Sequence, residues 1–281
     1  MTAAIEVWRK FSHPEPFSFL IDRRHITKQA PFEKTMSADP AEIEKFDALA
    51  EEWWNPDGKF RSLHLLNPCR LDYINSQIEI EFDRDVRQSK PFAGLKILDI
   101  GCGGGLLTEP MARLGAEVTG VDASGRNIDI ATGHAKAMGL AIDYRNMDAA
   151  DLDAGDGYDV VLAMEVIEHV PDQAAFVRSC SELLKPGGLL VCSTISRTVK
   201  SFALAIVGAE YVLGWLPRGT HDWSRFVKPG ELAGLAEASG LEFIDCKGFV
   251  FDPLQWNWKL SERDHAVNYV MAAVRPPEAA S

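Results

Sequence analysis

What this chain lacks narrows it first. Its five cysteines, Cys69, Cys102, Cys180, Cys192 and Cys246, contain no CxxC pair, and five is an odd number in a chain of 281 residues. That excludes the disulfide framework of a small secreted domain and predicts reduced thiols in a cytoplasmic compartment. An unbroken run of about 18 apolar residues, the length of a spanning helix, is missing. No clear secretory signal is expected either: the apolar stretch Phe17–Ile21 is short and follows Pro14 and Pro16. Positive charge is scarce. Lys and Arg total 29 against 41 Asp and Glu, giving a formal net charge of −12, which argues against a nucleic-acid partner because such affinity comes from cations on phosphates.

What is present is ordinary globular material, 46% hydrophobic and 25% charged, enough to bury a sizeable core. Residues 1–38 are mildly basic and without periodicity, and they read as a flexible extension. Residues 39–281 read as one domain, with N-terminal helices over 39–90. Ala41–Trp54 predicts a helix capped by Ser37 or Asp39, with Pro40 in its first turn. Asn55-Pro56-Asp57-Gly58 breaks the chain, and a second helix is expected to start with Pro68 at its first position.

From Lys96 onward, short apolar runs alternate with amphipathic stretches, the signature of βαβ units and a mostly parallel sheet. The expected strands are Lys96–Ile100, Glu117–Val121, Ala141–Arg145, Tyr158–Ala163 and Leu189–Ser193, with helices starting near Leu106, Ser124 and Asp172. Lys185-Pro186-Gly187-Gly188 is expected to stop the last helix and start the fifth strand. Residues 196–227 interrupt the alternation as an apolar insertion. Lys228–Ala238 is helical again, and Leu241–Phe249 and His265–Val274 supply two final strands.

Ile97-Leu98-Asp99-Ile100 runs straight into Gly101-Cys102-Gly103-Gly104-Gly105 and then a helical pattern. The first strand-to-helix turn is where such sheets hold their ligand. A dinucleotide fingerprint requires a third glycine where Leu106 stands; here it falls at Gly105, which turns the loop away from a diphosphate. The next strand ends in Val121-Asp122, and a carboxylate there can accept both hydroxyls of a ribose. Glycine run, helix, strand and terminal acid in register make a specific signal.

At this point the chain resembles the class I S-adenosylmethionine methyltransferases over Lys96–Ser193. More narrowly, it resembles the ubiquinone-biosynthesis O-methyltransferase family from about Phe46 to Val274. The residues carrying that likeness are Trp53-Trp54, Leu63–Leu71, Ile100–Leu106, Met164–Val170, Val207–Tyr211, Gly219–Asp222 and Val267–Tyr269. The resemblance implies an α/β, Rossmann-like fold: a mostly parallel seven-stranded sheet with an antiparallel last strand and helices on both faces. It implies S-adenosylmethionine as cofactor, with Arg70 on the methionine carboxylate, Gly101 and Gly103 in the loop, Asp122 on the ribose and Met164 near the adenosine. Fold analogy adds Asp148 near the adenine amine. The implied acceptor is a polyprenylated phenol or quinol, and other quinone-biosynthesis enzymes are potential partners.

Methyl transfer to a phenol requires loss of a proton from a group with pKa near 10. Glu165, Glu168 and His169 follow the fourth strand; on an α-helical turn, positions i, i+3 and i+4 would share a face. Two readings stay open. His169 is a general base near its operating pH, with Glu168 beside it, or all three residues bind a divalent cation such as Mg²⁺ that holds a catecholate.

Within the insertion, Ser201–Leu216 is apolar apart from Ser201 and Glu210 and is broken by Gly208 and Gly214. It is too short to span but suits the inner-leaflet surface, with Tyr211 and Trp215 at headgroup depth. A core-packed helix or a dimer contact is the competing reading. The expected setting is cytoplasmic and peripherally membrane-associated. Two other functions stay open: methylation of another small phenolic or lipid acceptor, and a non-catalytic cofactor-binding scaffold.

Overall fold

A computed structural model describes residues 43–44, 47–153, 155, 157–202, 222–252 and 254–278. The expected extension over 1–38 lies outside these residues, as do positions 203–221 of the insertion. Among the described residues, no helix is long and apolar enough to cross a membrane.

Eight strands form one sheet: β1 (Lys96–Ile100), β2 (Glu117–Asp122), β3 (Asp143–Asn146), β4 (Tyr158–Met164), β5 (Leu184–Ile195), β6 (Glu242–Asp252), β7 (Asn257–Ser261) and β8 (Asn268–Val274). Their spatial order is β3-β2-β1-β4-β5-β8-β6-β7. The first five are parallel, and β8 enters antiparallel between β5 and β6. The sheet has one strand more than the seven expected. β7 pairs antiparallel with β6 as a hairpin, and its Trp258 and Leu260, two residues apart, both pack on the core.

Side-chain alternation places the two cores. Leu98, Val161, Ala163, Leu190, Cys192 and Met271 face one way, into a cluster completed by Phe176, Val177, Leu232 and Ala236. Ile97, Val160, Leu162, Leu189, Val191 and Val270 face the other way, against Tyr73, Ile74, Ile78 and Met111. The period of two therefore buries both faces, as a sheet covered by helices on each side requires.

Among the described residues, the helices longer than one turn are α1 (Arg61–Glu81), α2 (Thr108–Arg113), α3 (Gly125–Ala137), α4 (Gln173–Leu183) and α5 (Pro229–Ala238). Ser124 and Asp172 cap α3 and α4 by accepting the N–H groups of Asn127 and Ala175, at 3.0 and 2.9 Å.

Three local expectations need correction. Pro68 does not open a helix but sits inside α1. An interior proline costs about 3 kcal/mol. Tyr73, Ile74 and Ile78 on the same helix are almost completely buried, and at about 1.5–3 kcal/mol per large side chain they outweigh it. The helix expected to reach Trp54 is helical at Ile43, Glu44 and Asp47 and then narrows to a 3₁₀ turn, Ala50–Glu52, after which Trp53 and Trp54 meet the loop that follows β1. Lys185–Gly188 already belongs to β5, which begins at Leu184 opposite Tyr158 across a bulge.

Candidate active site

The carboxyl ends of β1, β2 and β4 share one edge, the edge where open α/β sheets bind ligands. β1 delivers the chain into the glycine loop. Gly101, Gly103 and Gly105 have φ of +68°, +53° and +91°, left-handed angles that only glycine adopts without strain. The N–H groups of Gly101 and Cys102 both donate to the Val121 carbonyl, at 2.8 and 3.0 Å, which folds the loop back over β2. A Cβ on Gly101 would lie 2.7 Å from Val166 Cγ2, so this loop and the turn after β4 touch.

Asp122 closes β2. Its Oδ2 accepts from the Gly103 N–H at 2.9 Å, and its Oδ1 accepts from the Ser124 N–H at 2.8 Å and from Asn127 Nδ2 at 3.3 Å. Burial raises its carboxyl above the usual range, and these hydrogen bonds oppose the shift.

Arg70 reaches this edge from α1. It is 4% exposed, and its Nε is buried without a hydrogen-bond partner. Burial pulls the guanidinium down; Glu165, Asp99 and Glu168 push it back up. Asp99, read from sequence only as a strand residue, is therefore part of the site. It is 2% exposed and accepts from Thr108 Oγ1 at 2.7 Å. Burial raises its carboxyl to about 7, opposed by the Thr108 bond and Arg70 and reinforced by Asp122.

After Met164, Glu165 takes φ of +60°, a left-handed angle that costs a non-glycine residue about 1–3 kcal/mol and gathers at functional sites. Its Oε1 accepts from Ser193 Oγ at 2.8 Å. Glu168 is 4% exposed and its Oε2 accepts from Thr194 Oγ1 at 2.8 Å. Ile167–His169 is a 3₁₀ turn, and the left-handed Glu165 lies outside it. The expected α-helical face is thus replaced by two carboxylates held against the end of β5. Among the described residues, no three His, Cys, Asp or Glu side chains gather into a group that could hold a metal ion. Glu165, Glu168 and His169 in this geometry do not fit a preformed cation site.

The remaining expected residues are placed less distinctively. Met164 is 6% exposed and packs in the core cluster that includes Tyr73, Ile97 and Leu162. Asp148 follows β3, and its Oδ1 accepts from the Ala150 N–H at 2.8 Å as the cap of the turn Ala149–Asp151.

A parallel sheet with this order, a glycine loop without the dinucleotide spacing and an acid closing β2 define a Rossmann-like methyltransferase of class I. A family model described as a methyltransferase domain matches residues 78–245. Among solved structures, magnesium protoporphyrin IX methyltransferase from Synechocystis with bound SAH is similar, with a TM-score of 0.54, 16% identity and coverage of 98% of this chain and 95% of that one. An S-adenosylmethionine-dependent methyltransferase from Clostridium acetobutylicum gives 0.53 and 15%, covering 83% and 98%. These likenesses support the fold. Much nearer in sequence is a ubiquinone biosynthesis O-methyltransferase of Cereibacter sphaeroides, 62% identical over 86% of this chain and 98% of its own length. Another from Ruegeria pomeroyi is 60% identical over 85% of this chain and 97% of its own length. The chain belongs to the ubiquinone biosynthesis O-methyltransferase family.

The edge suits S-adenosylmethionine. Arg70 keeps a buried N–H without a partner, which a carboxylate would satisfy with charge assistance. Gly101, Gly103 and Gly105 hold a loop whose angles other residues resist, and Asp122 presents a carboxylate beside that loop at the end of β2.

Proposed function

We propose that this chain methylates a phenolic hydroxyl of a polyprenylated quinone precursor in ubiquinone biosynthesis, with S-adenosylmethionine as methyl donor. The observation that carries the assignment of the cofactor edge is the buried, unpartnered Nε of Arg70 among Asp99, Glu165 and Glu168. Arg70 would hold the amino-acid carboxylate, Gly101 and Gly103 would line the loop, and Asp122 would accept from the ribose hydroxyls. Met164 and Asp148 are assigned to the adenosine end. When bound, the cofactor supplies an electrophilic methyl group on a sulfonium, so the protein's task is positioning and proton removal.

His169 takes the phenolic proton. It follows β4 at the same edge as Asp122 and is half-buried. Glu168 precedes it in the chain, its Oε2 accepting from Thr194 Oγ1 at 2.8 Å. His169→Ala is expected to lose turnover while SAH binding by calorimetry is retained; full activity in the variant would overturn the role. Chelation and metal add-back test the other arrangement: loss followed by recovery would assign Glu165, Glu168 and His169 to a cation.

Contact with the inner leaflet through 201–216, and with other quinone-biosynthesis enzymes, belongs to the same reading. Val199, Phe202 and Trp223, at the two described ends of the insertion, are 83%, 46% and 38% exposed. Liposome flotation of a chain lacking 201–216 tests it, with loss of flotation expected and unchanged flotation contradicting it. Methylation of a different small phenolic or lipid acceptor, with no activity on polyprenyl catechols, is the alternative that substrate assays would reveal.

A further inference from the structure

Trp53, Trp54, His64 and Asn67 carry part of the family likeness, yet the cofactor assignment above leaves them without a task. All four bind the glycine loop or its support. The Trp53 ring stacks on Phe60, with centroids 3.9 Å apart and planes 7° apart. Its other surroundings are the loop itself: a Cβ on Gly104 would lie 2.5 Å from Trp53 Cβ, and one on Gly103 would run into the indole. His64 Nε2 meets the Trp53 carbonyl at 2.8 Å, Asn67 Nδ2 donates to the Leu106 carbonyl at 2.9 Å, and Trp54 Nε1 donates to the Gly104 carbonyl at 2.9 Å. The Trp54 ring lies flat on His134, 3.5 Å between centroids.

The decisive link is a chain of two hydrogen bonds. Trp53 Nε1 donates to Asn127 Oδ1 at 2.8 Å, and Asn127 Nδ2 donates to Asp122 Oδ1 at 3.3 Å. Asn127 is 2% exposed, so water does not compete freely for its amide. An indole N–H can only donate, so it accepts nothing from the amide and claims the oxygen. That leaves the NH₂ group facing the carboxylate. With the indole donor gone, the amide loses the partner that dictates its orientation. A flipped amide would set oxygen against the Asp122 oxygen, two acceptors facing each other.

We propose that Trp53, acting through Asn127, is a positioning residue for the cofactor: it orients the Asp122 carboxylate, while Trp54 pins the loop carbonyl of Gly104. The inference rests on the assignment of Asp122 to the ribose. It makes the segment before α1 part of the cofactor site, 74 residues from the side chain it orients through.

Calorimetry of SAH binding to the full chain tests this. Trp53→Phe keeps an aromatic ring against Phe60 and loses the N–H. Because it also removes part of the indole beside Gly103, its agreement with Asn127→Ala isolates the hydrogen bond. It is expected to weaken SAH about tenfold, equivalent to about 1.4 kcal/mol, and to weaken 5′-methylthioadenosine by the same factor, since both carry the ribose. The kcat at saturating S-adenosylmethionine should stay within about twofold while KM for the cofactor rises. Asn127→Ala should match Trp53→Phe, and the double variant should be no weaker than the worse single one. Additive losses, or a lower Tm with unchanged affinity, would overturn the relay. If Asn127→Ala does not fold, Trp53→Phe decides alone: unchanged affinity refutes the proposal. Asp122→Ala separates the two claims. Unchanged SAH affinity there removes the ribose assignment and the relay with it; weakened affinity there, beside an unaffected Trp53→Phe, removes the relay alone.

Discussion

Replacing Arg70 by leucine tests the cofactor assignment at its most exacting point. The side chain is 4% exposed and its Nε has no hydrogen-bond partner. If the cofactor carboxylate satisfies it, the lost interaction is a charge-assisted hydrogen bond worth about 1.5–3 kcal/mol, or about 10- to 150-fold in Kd for SAH. The variant has a second effect. Asp99, Glu165 and Glu168 lose their shared cation, and removing one partner from a buried charge group costs about 3–5 kcal/mol. Part of that cost is relieved because Asp99, already raised to about 7 with Arg70 present, can take a proton. Stability alone therefore says little about the cofactor, and the informative assay compares two ligands by calorimetry at a temperature where the variant is folded. SAH carries the amino-acid moiety and 5′-methylthioadenosine does not. Arg70→Leu should weaken SAH by the stated factor and leave 5′-methylthioadenosine within about twofold. Equal weakening of both ligands would refute the reasoning. Arg70→Lys should fall between, since a point charge replaces a forked donor.

Asp99 gives a pH prediction. Its folded pKa, about 7, stands above the ordinary carboxylate value, so between about pH 4 and 7 the folded state holds a proton that the unfolded state has released. Its contribution to stability is complete below the unfolded pKa and is lost as pH rises through the folded one. Asp99→Asn should therefore gain on the wild type by on the order of 2–3 kcal/mol between pH 5 and pH 8, read by urea melts. No change in the difference would contradict the shift. Gly103→Ala should destabilise the fold by at least about 1 kcal/mol, because φ of +53° is strained for alanine and its Cβ meets the Trp53 indole. SAH affinity should fall with it, and a thermal melt with unchanged Tm would contradict the packing.

Much of this edge is legible in the chain. The glycine loop and Asp122 lie within 22 residues of one another, and their strand-turn-helix spacing carries a local physical meaning. Arg70 came from the likeness to a family rather than from spacing, and its burial among three acids needs the folded molecule. Asn127 and Trp53 were illegible as a pair because the contact joins the start of α3 to a segment 74 residues earlier. Asp99 was visible as an acid in an apolar run, a signal that could have marked it. Pro68 misled because proline suits a first helical turn, whereas here the burial of later turns carries the helix past it. The 3₁₀ form of Ile167–His169 and the positive φ of Glu165 are backbone features that no pattern of residue types announces. β7 escaped because its core-facing pair, Trp258 and Leu260, is too short a pattern to stand out.

The central claim is methyl transfer to a polyprenylated phenol. The direct measurement incubates the full chain with methyl-labelled S-adenosylmethionine and a polyprenyl catechol in detergent, then analyses the lipid fraction by mass spectrometry. A labelled methoxy product at the phenolic oxygen is expected, lost in Arg70→Leu at subsaturating cofactor and in His169→Ala at any cofactor concentration. A lipid fraction without label, while SAH binds normally, would contradict the claim.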